Sequence, residues 1–104
     1  MPHSAYTIFR SRYEIANDIL QVVNEDSTIM RRRRHKTGIG YAARLTHQFT
    51  VRYLRGLTNE RLLRVSKEAS IYQCYEITPK GLRYLQVFAE IEDDLKPLNN
   101  DVTG

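Results

Sequence analysis

The order of local patterns between Lys36 and Leu95 most constrains what this chain can fold into. It predicts, in succession, a short helix, a tight turn, a second helix, two strands and a longer final helix. The predicted bounds are Gly38–Ala43, Arg44–Thr46, His47–Asn59, Leu62–Ser66, Ile71–Ile77 and 79–96. Helix, turn, helix, hairpin and helix in this order indicate an α+β, mainly α fold: a winged helix-turn-helix with a long C-terminal dimerisation helix.

Capping residues and side-chain types support these bounds. Thr46 is a preferred helix N-cap, and Thr78 followed by Pro79 is a typical helix start. The strand segments are rich in β-branched and aromatic residues, and Lys67–Ser70 between them has the length of a hairpin connection. Within the second helix, helical spacing predicts one buried face and one polar face. The buried face would hold Phe49, Tyr53, Leu54 and Leu57, and the opposite face Gln48, Arg52 and Arg55.

A further helix is predicted before this unit. Ser11 and Glu14 have the spacing of a capping box, in which each side chain accepts from the other residue's backbone N–H. Apolar residues then recur at helical spacing, at Ile15, Ile19, Leu20 and Val23. We expect an N-terminal arm over residues 1–10, a winged helix-turn-helix domain over 11–81, a dimerisation helix over 79–96 and a flexible tail over 97–104.

The last helix carries two apolar stripes. Leu82, Leu85 and Ala89 are predicted to pack on the domain. The other residues, here called the C-terminal stripe, follow a heptad pattern and are Tyr84, Phe88, Ile91 and Leu95. Because one small domain cannot bury both stripes, the C-terminal stripe predicts a partner helix from an identical chain. The alternative is one broad core face that includes both stripes.

Charge is distributed unevenly along the chain. Residues 1–58 hold ten Lys/Arg and four Asp/Glu, a net +6, whereas residues 59–104 hold six and eight, a net −2. A basic first half indicates a surface that binds a polyanion. The densest run, Arg31–Arg34, directly precedes the helix-turn-helix, and such a run contacts phosphates rather than bases. A solvated loop that only aids solubility is the alternative.

The remaining composition indicates a cytoplasmic protein. The single cysteine, Cys74, excludes an intrachain disulfide and any cysteine-based metal site. No apolar run is long enough to span a membrane, and the N-terminus lacks the charged and apolar regions of a secretory signal. On the second strand, alternation directs Ile71, Tyr75 and Ile77 toward the core, and Tyr72 with Cys74 to the other face.

The residue pattern argues against an enzyme. His3, His35 and His47 are far apart in sequence, and no Gly-rich phosphate loop follows a strand. Acidic residues cluster only over Glu90–Asp94, as expected of a solvated helix face. Cys74 on a strand is more typical of packing than of a nucleophile. We therefore expect no catalytic residue, no metal, no cofactor and no small-molecule ligand.

The sequence also resembles a known family, the small archaeal winged-helix proteins. The matching segments are Arg10-Ser11-Arg12-x-Glu14-Ile15, Asp18-Ile19-Leu20, Lys36-Thr37-x-Ile39-x-Tyr41-x-Ala43-x-Leu45-Thr46, Tyr53-Leu54, Leu62-Leu63 and Tyr75-x-Ile77-Thr78-x-Lys80-Gly81. The family includes chromatin-associated DNA-binding proteins of crenarchaea that dimerise through an antiparallel coiled coil. Its members usually have a large apolar residue at the position of Thr50 and a small basic or polar one at that of Phe49. This departure leaves the rotation of the second helix open by about one position.

A winged helix implies double-stranded DNA as the partner, with the second helix in the major groove. Base contacts are expected from His47, Gln48 and Arg52, because Gln can pair with adenine and Arg with guanine through two hydrogen bonds. Phosphate contacts are expected from Arg31, Arg32, Arg33, Arg34, Lys36, Arg44 and Arg55. The wing would add Arg64, Lys67 and Ser70.

Three roles are compatible with these features. The first is a homodimeric archaeal transcriptional regulator located on the nucleoid. The alternatives are a sequence-independent chromatin protein and a winged-helix adaptor that binds proteins, since one fold serves several functions. An adaptor would not require Arg44, Arg52 and Arg55 on one exposed surface.

Overall fold

The computed structural model describes residues 10–25, 35–66 and 74–103, with side chains as far as Leu95. In this part of the chain, four α-helices and one two-stranded sheet follow the predicted order, which confirms the winged helix-turn-helix. The elements are α1 Arg12–Asn24, α2 Lys36–Ala42, α3 His47–Asn59, β1 Leu63–Ser66, β2 Cys74–Ile77 and α4 Pro79–Thr103. No described helix is both long enough and apolar enough to cross a membrane.

The start of α1 has the predicted capping box. Ser11 Oγ accepts from the Glu14 backbone N–H at 3.1 Å, and Glu14 Oε1 accepts from the Ser11 backbone N–H at 2.9 Å. The helix contributes the predicted apolar face to the core, where Ile19 and Leu20 are completely buried. The buried residues of α1 are Ile15, Ala16, Ile19, Leu20, Val22 and Val23.

Helix α2 begins at Lys36, two residues earlier than predicted, and it ends in a Schellman motif. The Leu45 N–H donates to the Gly40 carbonyl at 2.9 Å, and the Arg44 N–H donates to the Tyr41 carbonyl at 3.2 Å. These bonds satisfy carbonyls that would otherwise lack partners at the helix end. The turn into α3 is therefore held by the main chain.

Helix α3 ends in the same motif. The Leu62 N–H donates to the Leu57 carbonyl at 2.8 Å, and the Arg61 N–H donates to the Thr58 carbonyl at 3.0 Å. The left-handed residue of each motif is an arginine, with φ of 60° at Arg44 and 64° at Arg61. Glycine usually occupies this position, because a left-handed backbone costs an L-residue about 1–2 kcal/mol.

The two strands form the base of the wing. β1 and β2 are antiparallel, and their register runs from Leu63 opposite Ile77 to Ser66 opposite Cys74. His35, just before α2, makes an isolated antiparallel bridge to Cys74. The segment that leads into α2 is thereby paired with β2 of the wing.

The predicted orientation of β2 is wrong at Cys74. Cys74 and its neighbour Tyr75 are both buried, with 3% and 8% of their surface exposed. Strand alternation fails here because α1 packs against β2 while the His35 segment covers its edge. β1 begins one residue later than predicted, at Leu63. The expected inward Ile71 and outward Tyr72 lie outside the described residues.

The start of α4 requires a glycine. Thr78 Oγ1 accepts from the Gly81 N–H at 3.1 Å and donates to the Arg61 carbonyl at 2.6 Å, so the N-cap also joins α4 to the end of α3. A Cβ at Gly81 would collide with the Leu62 carbonyl oxygen and with Ile77 Cγ1. This close approach fixes α4 against the sheet.

The predicted end of α4 is wrong. The helix extends to Thr103 rather than stopping near Lys96, and it passes through Pro97. A proline inside a helix removes one main-chain hydrogen bond and crowds the carbonyl four residues earlier, yet α4 continues through Pro97. Residues 97–103, expected to form a flexible tail, are thus part of the helix backbone.

Candidate nucleic-acid interface

Helix α3 exposes the polar face that its spacing predicted. Gln48, Arg52 and Arg55, here called the reading face, are all exposed. The opposite side enters the core through Thr50, Leu54 and Leu57. Thr46 caps the helix by accepting from the Phe49 N–H at 3.3 Å.

The predicted burial of Phe49 is wrong, because α3 is rotated so that Thr50 faces inward instead. Phe49 is 38% exposed, whereas Thr50 is 1% exposed. The Thr50 hydroxyl donates to the Thr46 carbonyl at 2.8 Å, which satisfies it inside the core. A Cβ on Gly40 of α2 would lie 2.5 Å from Thr50 Oγ1, so a glycine and a small residue meet where the two helices touch.

Phe49 belongs instead to an exposed aromatic and basic group beside the reading face. The Arg52 guanidinium carbon lies 5.7 Å from the centroid of the Phe49 ring, within the range of a cation–π contact. The Phe49 ring is also tilted against that of Tyr53, with centroids 6.5 Å apart. The sequence already contained a signal for this rotation. Thr50, Leu54 and Leu57 follow the spacing of one helix face, so position 50 should point inward with the two leucines.

The turn between α2 and α3 is anchored from the N-terminal side. Arg10 Nη1 donates to the Ala43 carbonyl at 2.8 Å, and Nη2 donates to the Arg44 carbonyl at 3.0 Å. The same guanidinium pairs with Asp18 of α1 at 2.7 Å. Arg10, predicted as part of an arm, is therefore built into the domain. It aligns the α2–α3 turn with α1 and leaves the Arg44 side chain at the surface.

A small cleft separates the start of α2 from the start of α3. Its volume is about 210 Å³, and its lining includes Lys36, Tyr41 and His47. Lys36 and His47 are both exposed, as their predicted roles require. Tyr41 is 89% exposed, the highest value among the large exposed hydrophobic residues described, and it is not among the residues predicted to contact DNA. The sequence feature that could have indicated this exposed ring is a large aromatic residue between two small ones, Gly40 and Ala42.

The wing is only partly described. Arg64 Nε donates to Glu76 Oε1 at 2.9 Å across the two strands, and the Arg64 side chain remains 65% exposed. The acidic partner reduces the positive charge that Arg64 offers to a phosphate. Lys67 and Ser70 of the predicted wing tip lie outside the described residues, as does the Arg31–Arg34 run.

The C-terminal stripe divides into a packed part and an exposed part. Tyr84 packs on the core, and its hydroxyl donates to the Tyr13 carbonyl at 2.9 Å. Burial, with a smaller electrostatic effect of Tyr13, raises the pKa of Tyr84. Phe88 stacks on Tyr84 at 6.2 Å between centroids, whereas Ile91 and Leu95 are 52% and 47% exposed.

The expected inward stripe of α4 is only partly correct. Leu85 packs against the core, but Leu82 is 46% exposed and Ala89 is exposed. The reason is that Gly81, Tyr84 and Leu85 face the domain together, which turns Leu82 away from it. Among the described residues, no group of three or more His, Cys, Asp or Glu side chains could hold a metal ion.

The sequence matches the winged helix-turn-helix family over residues 10–96, and the chain belongs to that family. The match includes all three helices of the domain, the strands and most of α4. Among curated proteins, none matches this sequence.

Solved structures show the same fold. Sso10a-2, a DNA-binding protein from Sulfolobus solfataricus, is 25% identical with a TM-score of 0.67, and the match covers 90% of this chain and 94% of that one. MepR of Staphylococcus aureus in complex with DNA is 16% identical with a TM-score of 0.63, covering 86% and 73%. ZitR of Lactococcus lactis is 10% identical with a TM-score of 0.62, covering 96% and 74%.

Proposed function

We propose that this protein is a homodimeric DNA-binding transcriptional regulator that inserts α3 into the major groove. The observation that carries the proposal is the composition and rotation of α3. Its exposed side presents Gln48, Arg52 and Arg55, and the helix contains no acidic residue. Such a surface suits the floor of a groove lined by phosphates, and it has no evident use in an adaptor that binds proteins.

Each side chain then has a distinct task. The N-terminal part of a recognition helix approaches base edges, which assigns base contacts to His47, Gln48 and Arg52. Arg44 and Arg55 flank these residues at the surface and are assigned to phosphates. Lys36 at the start of α2 adds another phosphate contact. The remaining contacts to the DNA backbone are assigned to the wing, through Arg64, Lys67 and Ser70, and to the Arg31–Arg34 run.

Dimerisation is proposed through the exposed part of the C-terminal stripe. Ile91 and Leu95 are half exposed on a helix whose preceding turns pack on the domain. A second copy of α4 would cover them, with Phe88 at the edge of the contact. Two reading faces related by twofold symmetry would recognise a pseudo-palindromic site.

A sequence-independent chromatin protein on the cytoplasmic nucleoid is the second candidate. The Arg31–Arg34 run favours it, because consecutive arginines bind phosphates without distinguishing bases. Sso10a-2, a DNA-binding protein, is similar over nearly the whole chain.

The test is DNA affinity measured by fluorescence anisotropy on selected genomic fragments and on scrambled duplexes, over a salt series. A regulator should prefer its selected site by at least about a thousandfold at physiological salt. Equal affinity for every duplex with a steep salt dependence would support the chromatin protein. No binding to any duplex at low salt would overturn both readings.

A further inference from the structure

Phe49 places an apolar ring where a polar or small residue would suffice. It is 38% exposed beside the exposed Arg52, in the first turn of the helix that the proposed function places in the major groove. Exposing this ring to water costs apolar free energy, and Ala at the same position would fill the helix equally well. A contact made only in the complex would recover that cost.

The neighbouring guanidinium gives the ring a second use. Arg52 lies over the face of Phe49 at 5.7 Å. A stacked guanidinium keeps its N–H edges free, so it can donate two parallel hydrogen bonds to guanine while its face stays on the ring. The aromatic contact restricts Arg52 before DNA is bound and lowers the entropy lost on binding.

The chemistry of the groove identifies what the ring would contact. In the major groove, thymine alone among the four bases presents an apolar group, its C5-methyl, and phenylalanine is a suitable partner for it. Successive base pairs are separated by about 3.4 Å, so a ring 5.7 Å from the guanidinium falls one or two steps from the base that Arg52 reads.

We propose that Phe49 and Arg52 act as one recognition unit, in which Phe49 contacts a thymine methyl one or two base pairs from the guanine bound by Arg52. The inference rests on the proposed function and adds the base that the site should contain. Cytosine methylated at C5 presents the same methyl group and should substitute for thymine at this position, provided its partner base is tolerated.

The experiment removes the methyl group from the DNA rather than from the protein. Each thymine of a selected site is replaced in turn by deoxyuridine, which keeps the base pair and lacks only the C5-methyl. At one position near the essential guanine, wild-type affinity should fall about fourfold, the effect of burying one methyl group. The same replacement should leave the affinity of the Phe49→Ala variant unchanged, because this variant lacks the ring that would contact the methyl group.

Control measurements separate the possible failures. The Phe49→Ala variant is checked by its melting temperature and its affinity for scrambled DNA, and the uracil scan on the wild-type protein requires no variant at all. If the wild-type protein binds the site but no uracil weakens it, Phe49 does not read a methyl group, and the DNA-binding function stands. If uracil weakens wild type and Phe49→Ala equally, another residue contacts the methyl. Absence of any DNA binding would instead reject the proposed function.

Discussion

At the scale of single residues, Arg44 and Arg61 have a left-handed backbone, so replacing either by glycine removes a charge without straining the main chain. Arg44→Gly removes a proposed phosphate contact while supplying the residue that the backbone prefers at φ 60°. We expect DNA affinity to fall on all sequences and the salt slope to decrease by about 0.9. The free energy of unfolding should change by less than about 1 kcal/mol, because relief at the left-handed position offsets the added flexibility of glycine.

Arg61→Gly is the matched control for this measurement. It removes the same charge at the same backbone conformation, φ 64°, but at the other end of α3. Its DNA affinity should stay close to that of the wild-type protein. An equal loss in both variants would mean that Arg44 acts through net charge and not through a local contact.

A second prediction at this scale concerns the substitution Gln48→Ala, which leaves the charge of the protein unchanged. Affinity for a selected site should fall by about 1–3 kcal/mol, the value of one base contact made by two hydrogen bonds. Affinity for scrambled DNA should remain constant. Gln86→Ala, at an exposed position of α4, serves as the control and should leave the affinities for both duplexes unchanged. Parallel losses on both duplexes would exclude base reading by Gln48.

At the scale of elements, the same substitution should have opposite effects at two glycines. A Cβ at Gly56 of α3 meets no atom within 4 Å, so Gly56→Ala should stabilise the protein by about 0.5–1 kcal/mol through helix propensity. Gly40→Ala should destabilise it, because the new Cβ would lie 2.5 Å from Thr50 Oγ1. Chemical denaturation of both variants measures the two shifts. A stable Gly40→Ala variant would mean that α2 and α3 can separate without cost.

Local sequence signals predicted the elements well but not their contacts. Capping residues such as Ser11 and Thr46 act within one turn, so their roles are visible in the sequence. The inward side of α3 depends on where α2 lies, and that position is set by the Gly40–Thr50 contact between helices. Phe49 was therefore misplaced, while Gln48, Arg52 and Arg55 were correctly placed on the exposed face. The burial of Cys74 likewise depends on pairing with His35, which is distant in sequence.

At the scale of the whole molecule, the C-terminal stripe predicts the oligomeric state. Phe88→Glu and Ile91→Glu should each convert a dimer to a monomer, because each places a charge on the proposed contact between two α4 helices. Sedimentation velocity measures the change. Leu82→Glu is the control: Leu82 is exposed to a similar extent on the opposite side of α4 and should leave the dimer intact. Dimers that survive both stripe substitutions would place the interface elsewhere.

The capping of α3 has a consequence for how this scaffold could change. Its first turn is capped by Thr46, and its last turn is closed by main-chain bonds around Arg61. Neither end depends on the side chains at positions 48, 52 and 55. Those three positions can therefore vary without loss of the fold, so the exposed face of α3 is replaceable while its buried face is not. Lineages that carry this domain could acquire new target sites through a few codon changes, and a designer could do the same by grafting.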